Sequence, residues 1–223
     1  MNDQPIRDAA TVILIRDAQT APAVLMGQRG AGAAFMPSKF VFPGGAVDTG
    51  DAAVPLARPS PCAPRLAQDS RLTPGAIAAA AIRELWEETG LILGTPAPWS
   101  DAPDAWQDFA ATGHRPDAGA LHFAFRAVTP VGRPRRFDAR FLLADAAALA
   151  CDPDALTGSG ELAFLQWVPL GALRQLDLPF ITTVVLAEIA ARLPDLGPPP
   201  SVPFFRNDDE AHLVARLGLP PQD

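Results

Sequence analysis

The chain reads as an α/β domain, a mixed β-sheet held between helices, and three observations carry that reading. Apolar, β-branched runs of strand length recur along it, the first being A-T-V-I-L-I-R at residues 10–16. Segments of helical period lie between some of these runs, above all the stretch 78–91. Other runs are joined by links of hairpin length, such as 17–22, so those neighbours are antiparallel and the sheet cannot be purely parallel.

Residues 10–16 form a buried strand and 23–28 (A-V-L-M-G-Q) the next. Residues 30–37 are a loop rich in glycine and alanine, and 40–42 a short strand entering Pro43-Gly44-Gly45. Paired glycines there imply a close backbone approach or positive φ, an ordinary turn being the plainer alternative. Residues 46–72 carry Pro55, Pro59, Pro61 and Pro64 among Arg58, Arg65 and Arg71. Proline denies them regular ladders, so they read as a surface loop with a short helical turn. Thr73 and Pro74 supply an N-cap and a first helical residue, and Gly90 is placed to end that helix. A short strand at 91–93 follows, then an amphipathic helix at 99–112 with Trp106 and Phe109 among Asp101, Asp104 and Asp108. Strands are expected at 121–129, 136–144 and 161–168, a short helix at 169–176 and a long one at 180–193. The prolines at 198–200 mark a linker or extended tail, which Phe204 and Phe205 would pin to the domain or to a second subunit.

At 223 residues with 48% apolar content, one domain (1–223) is expected: a core at about 10–193, an insertion at about 46–72 and a proline-rich tail at 194–223. No run of apolar residues is long enough to span a membrane. The first residues, M-N-D-Q-P-I-R-D, lack the apolar segment of a leader. Two cysteines, Cys62 and Cys151, form no metal pattern and no disulfide framework, so a reduced cytoplasm is expected. The net charge of −7 argues against a nucleic-acid partner.

The chemistry concentrates at A-A-A-A-I-R-E-L-W-E-E-T-G-L, residues 78–91. Glu84, Glu87 and Glu88 are spaced i, i+3, i+4 and share one helical face, while Ala78, Ile82 and Leu85 lie on the core side. Three adjacent acids repel one another, and Arg83 alone on that face offsets them. A hard divalent cation would turn the repulsion into binding; a solvated acidic face is the plainer alternative. Arg83 reaches Glu87 one turn on. Arg29, Arg135, Arg136 and Arg140 are candidate phosphate binders, because guanidinium forks match phosphate geometry. Arg136 and Arg140 fall on one strand face. Phe35 and Met36 are candidates to wall an adenine or a pantetheine arm. Glu161, after T-G-S-G, is the late-loop acid available as a base or ligand. His114 and His122 are read as structural.

R-E-L-W-E-E-T-G-L (83–91) resembles the second half of the Nudix box, the signature of Mg²⁺-dependent hydrolases of nucleoside diphosphates linked to another moiety. F-V-F-P-G-G (40–45) resembles its opening. Gly45 lies thirty-eight positions before Arg83, well beyond the usual spacing, so an insertion divides the box. Its first acid falls at Asp51 counted from Gly45, or at Gly75 counted back from Arg83. The stretch 24–45, the insertion and R-R-F-D-A-R-F (135–141) resemble the peroxisomal coenzyme A diphosphatase branch. That branch places a second arginine a few residues after Arg29, where this chain has Ala33, Ala34 and Lys39.

The resemblance implies an α/β/α Nudix sandwich. It implies Mg²⁺ or Mn²⁺ held by Glu84, Glu87 and Glu88 near the Gly45 carbonyl, with the general base on the box helix or in a late loop. The function expected is metal-dependent hydrolysis of a diphosphate bond, with coenzyme A or an acyl-coenzyme A as the narrower substrate. The alternatives are ADP-ribose, a dinucleotide or a nucleoside triphosphate, and, in a different class, a regulatory domain that binds a nucleotide without turnover. A homodimer is expected by fold analogy alone.

Overall fold

The computed structural model describes residues 5–33, 36–158, 160–206 and 214–217. Strand β1 (Ile6–Arg16) is the centre of the sheet. Val12 and Leu14 point to one face and Ile13 and Ile15 to the other, and all four are fully buried. A strand covered on both faces reads as a continuous apolar run, which is why it was visible in the sequence. β2 (Ala23–Arg29) returns antiparallel to it, and β8 (Arg136–Asp145) runs parallel on its other side. Beyond β8 comes β7 (His122–Val128), then β10 (Val202–Phe205) and β11 (Val214–Leu217). β3 (Phe40–Val41) and β9 (Leu162–Pro169) pair with β2, and β4 (Gly44–Ala46) pairs with Ala9–Thr11 of β1. The sheet therefore mixes parallel and antiparallel ladders, as expected.

Two helices cover its faces. Between β4 and β5 (Gly94–Pro96) the chain makes α1 (Ala63–Leu66) and α2 (Pro74–Thr89). α2 lays Ile77, Ile82 and Leu85 on Val12, Leu14, Phe123 and Leu142. Its four alanines, Ala78 to Ala81, are all fully buried, so small side chains let this helix sit close against the sheet. After α3 (Gln107–Ala111) and β6 (His114–Pro116), the remaining helix α4 (Phe180–Arg192) packs Val185, Leu186 and Ile189 on Ile13, Met26, Phe125 and Leu143 of the opposite face. The order helix, sheet, helix is the expected sandwich.

Several elements differ from expectation. Residues 91–93 form no strand; Leu91 and Leu93 are buried, and the pairing begins at Gly94 in the small β5–β6 hairpin. The helix expected at 99–112 is a 3-10 turn at Asp104–Trp106 followed by α3, because Pro103 fixes the entry. The expected helix at 169–176 is likewise a 3-10 turn, Leu170–Gln175. The tail is not merely extended: β10 adds to the sheet beside β7, with Phe204 buried and Phe205 edge-on to Phe125.

Much of the insertion is laid onto the domain. Arg58 pairs with the buried Asp117, and the Ser60 hydroxyl donates to the Leu121 carbonyl at 2.7 Å. Burial works against ionisation of Asp117. The Thr95 hydroxyl, the Gly119 N–H and Arg58 outweigh it and hold the carboxyl below its usual range. At the other end of the insertion Arg126 donates to the carbonyls of Gln68 and Asp69.

Candidate active site

Helix α2 begins as its sequence requires. The Thr73 side chain accepts the Ala76 N–H at 3.2 Å, Pro74 follows, and Gly90 closes the helix in the left-handed region at φ +72°. This fixes the phase at which Arg83, Glu84, Glu87 and Glu88 face β4. Arg83 is the hub. Its Nε and Nη2 form a fork on the two oxygens of Asp51 at 3.0 and 3.1 Å, and Nη2 also donates to the Ala46 carbonyl at 3.0 Å. Nη1 bridges Glu84 at 2.9 Å and Glu87 at 3.1 Å, the expected i, i+4 pair among them.

Asp51, one of the two positions counted for the box's first acid, is 2% exposed and is the buried partner of Arg83. Asp51 sits in a 3-10 turn, Thr49–Ala53, whose Asp48 N–H donates back to it at 2.8 Å. Residues 46–53 thus already belong beside α2, and the part of the insertion that departs from the box begins after them.

The glycine pair is explained by close approach. The Gly44 N–H donates to Glu88 Oε2 at 2.8 Å, and a Cβ at Gly45 would fall 2.5 Å from the Glu84 carboxylate. The backbone is pressed against two of the three acids. Burial pushes the Glu88 carboxyl up to about 8, with the Gly44 N–H opposing and the charges of Glu84 and Glu161 adding. Burial likewise raises Glu84 to about 7 against the pull of Arg83, and raises Glu87. Burial also works against the charge on Arg83. The Asp51 bond and the surrounding carboxylates prevail and keep it a cation.

Whether this set suits a divalent cation can be judged from its oxygens. The bonds to the three glutamates occupy one oxygen of each, leaving Glu84 Oε2, Glu87 Oε1 and Glu88 Oε1 as hard donors. Among the described residues no three acid, imidazole or thiol groups already converge as a cage. Small side-chain rotations on α2 would be needed to gather them. The donor chemistry fits Mg²⁺ or Mn²⁺.

Arg29 and Glu161 approach from the sheet. Arg29 pairs in register with Leu162, the residue after Glu161. Its Nε is buried with no hydrogen-bond partner among the described residues, and its charge pulls down the Glu88 carboxyl. Glu161 is exposed, and its charge adds to the upward push on Glu84 and Glu88.

Other expected site residues lie elsewhere. Arg140, 1% exposed, is spent on Asp8, the Asp138 carbonyl at 2.9 Å and Ser70 at 3.3 Å. Arg136 is buried and donates to the Thr129 carbonyl at 3.2 Å. Both do share a strand face; on it Arg140 reaches Ser70 of the insertion, and the Arg136 Nε is taken by a backbone carbonyl of the sheet. Phe35 lies outside the described residues; Met36 is half-buried with φ +50°. His114 is held by Thr112, and burial lowers the His122 imidazole. Sequence reasoning left Asp51 as one of two alternatives and passed over the Gly44 N–H. The spacing from Gly45 was the available signal for both.

No family model matches the chain. A crystal structure of a NUDIX hydrolase from Alicyclobacillus acidocaldarius is 31% identical, with a TM-score of 0.64, over 88% of this chain and all of that one. A Caenorhabditis elegans protein described as nudix hydrolase 7 is 40% identical over 93 residues; the match spans 42% of this chain and 24% of that protein's length. The NUDIX domain of Shewanella oneidensis NrtR, solved with ADP ribose, shares the fold at 12% identity and a TM-score of 0.50, covering 85% of this chain and 89% of that one. The chain belongs to the Nudix hydrolase superfamily.

Proposed function

We propose that this protein hydrolyses a P–O–P bond in a nucleoside diphosphate linked to another moiety, with Mg²⁺ or Mn²⁺ as cofactor. The observation that carries the reading is the Arg83 hub. One guanidinium, fixed by buried Asp51, holds Glu84 and Glu87 beside Glu88 while leaving an oxygen of each free. Glu84, Glu87 and Glu88, with the Gly45 carbonyl, would hold the metal. Such an ion neutralises phosphoryl oxygens and lowers the pKa of a bound water. The chain's own part is positional: Arg83 and the Gly44 N–H orient the carboxylates, Arg29 offers a guanidinium N–H to a phosphate, and Glu161 is an exposed acid able to take a proton at the rim. Regulatory binding without turnover is disfavoured by the complete carboxylate set.

Coenzyme A or an acyl-coenzyme A is the narrower substrate we propose, supported by the resemblance of residues 24–45 and by Arg29. With Arg136 and Arg140 committed to the fold, that support rests on the first stretch. The homodimer, an analogy from the fold, and a cytoplasmic setting, suggested by two free cysteines, belong to the same proposal. No described helix is long and apolar enough to cross a membrane.

The test is product release from coenzyme A, acetyl-coenzyme A, ADP-ribose, NADH, diadenosine polyphosphates and nucleoside triphosphates, each with Mg²⁺ and with Mn²⁺. Glu87→Gln and Glu88→Gln should lower kcat on the order of a hundredfold or more with helix content unchanged by circular dichroism. Unchanged turnover in both variants would sink the assignment.

A further inference from the structure

Phe164 is 73% exposed and has φ +48°, an uncommon pairing for an aromatic residue in a strand. Its position explains how it is held. A Cβ on Gly27 of β2 would meet both Leu162 and Leu165, so these two leucines lie on one face of β9. Strand residues on one face are two apart; these are three apart. The ladder slips at the same place, with Met26 opposite Gln166 but Gln28 opposite Ala163. This is a β-bulge, a device that re-aims a side chain next to a site. The two leucines anchor it from either side, and Phe164 is turned out of the alternation into solvent.

A left-handed conformation is free for glycine, and the chain uses one nearby at Gly160, φ +92°. At 164 it carries a large aromatic ring instead, so both the strain and the exposed apolar surface are borne at one residue. The location supplies a use. Leu162 pairs with Arg29, and Glu161 precedes it, so Phe164 lies two residues along β9 from the residue opposite Arg29 and three from the rim acid. The opposite rim, residues 36–39, also holds two non-glycine residues at positive φ, Met36 and Ser38.

We propose that Phe164 is a stacking platform for the nucleobase of the substrate, setting the preference for nucleoside diphosphates over diphosphates that lack a base. This rests on the diphosphatase reading above. An aromatic face stacks any base with little sequence preference, so the platform supplies affinity for the class, while groups elsewhere choose among bases.

The experiment measures binding of two probes, ADP and inorganic pyrophosphate, each with Mg²⁺, to the full chain by calorimetry. Phe164→Ala is expected to weaken ADP about tenfold and to leave pyrophosphate unchanged. Phe164→Trp should restore ADP binding. Phe164→Gly should weaken ADP as alanine does without lowering the melting temperature, because it relieves the left-handed strain. In turnover the alanine variant should raise KM and leave kcat close to wild type. Unchanged ADP affinity overturns the platform, as does an equal loss on both probes. So does a shift from dimer to monomer in light scattering with ADP affinity retained, which would make the ring a contact between copies. Wild-type protein that binds neither probe overturns the diphosphatase reading, and the platform with it.

Discussion

At the scale of single residues, the site depends on one buried ion pair. Arg83 and Asp51 are each almost wholly out of water, where an unpaired charge is expensive. Asp51→Asn leaves the guanidinium with half its fork, and with Glu84 and Glu87 as its remaining bonded carboxylates. The expected cost is about 1.5–3 kcal/mol, the loss of a charged hydrogen bond, seen as a fall in the denaturant midpoint. Turnover should fall as well, since Glu84 and Glu87 lose a fixed partner. The raised carboxyls give a pH dependence whose sign is opposite to that of a salt-bridged acid. In the unfolded chain these groups titrate near 4.5, but in the fold Glu84 and Glu88 titrate at about 7 and about 8. Between those limits the folded protein binds more protons than the unfolded one, so stability falls as pH rises. Melts of the metal-free protein should therefore decline from pH 5 to pH 8, and Mg²⁺ at pH 8 should recover the loss by binding the native state. Glu84→Gln combined with Glu88→Gln should flatten that decline; a decline of undiminished slope in the double variant would assign it to other groups.

At the scale of elements, β4 and α2 form one unit because two glycines allow a strand backbone to touch a helix's carboxylates. Gly45→Ala places a methyl 2.5 Å from the Glu84 carboxylate, closer than any real contact. The strand is pinned by β1 through Ala10, so the carboxylate must swing away. Activity should drop at least about tenfold, because a displacement on the order of 1 Å is enough to misplace a reacting group. Circular dichroism should show helix content intact.

At the scale of the molecule, charge is divided between two tasks. Arg126, Arg140, Asp8 and Asp138 make an ion network between the sheet and the insertion, with Ser70 and the carbonyls of Gln68 and Asp69 on its far side. Arg29 and Arg140 each carry a buried Nε with no partner among the described residues, but Arg29 is the one whose charge reaches the carboxylates, pulling down Glu88. Arg140→Gln should lower the melting temperature and leave KM unchanged, whereas Arg29→Ala should raise KM about tenfold, the loss of one charged hydrogen bond, with little change in melting. The reverse pattern would exchange the two roles.

The sequence by itself determined what depends on local periodicity and capping. Helix α2 with its three acids on one face, its Thr73-Pro74 start and its Gly90 stop was legible from 78–91 and its flanks, and so were β1, β2, β7, β8, β9 and α4, because 3.6 and 2 are periods a chain cannot disguise. Whatever joins distant residues was left to tertiary structure. Asp51 and Arg83 are thirty-two positions apart across an insertion that hides their relation. Arg140 has the same chemistry as Arg29 and differs in its surroundings, where Asp8, Asp138 and Ser70 engage it. Tail strand β10 pairs with β7, from which residues 129–201, about a third of the chain, separate it, and no local pattern names that partner. The outward turn of Phe164 comes from a one-residue mismatch between β2 and β9, set where two strands meet and recorded in neither alone.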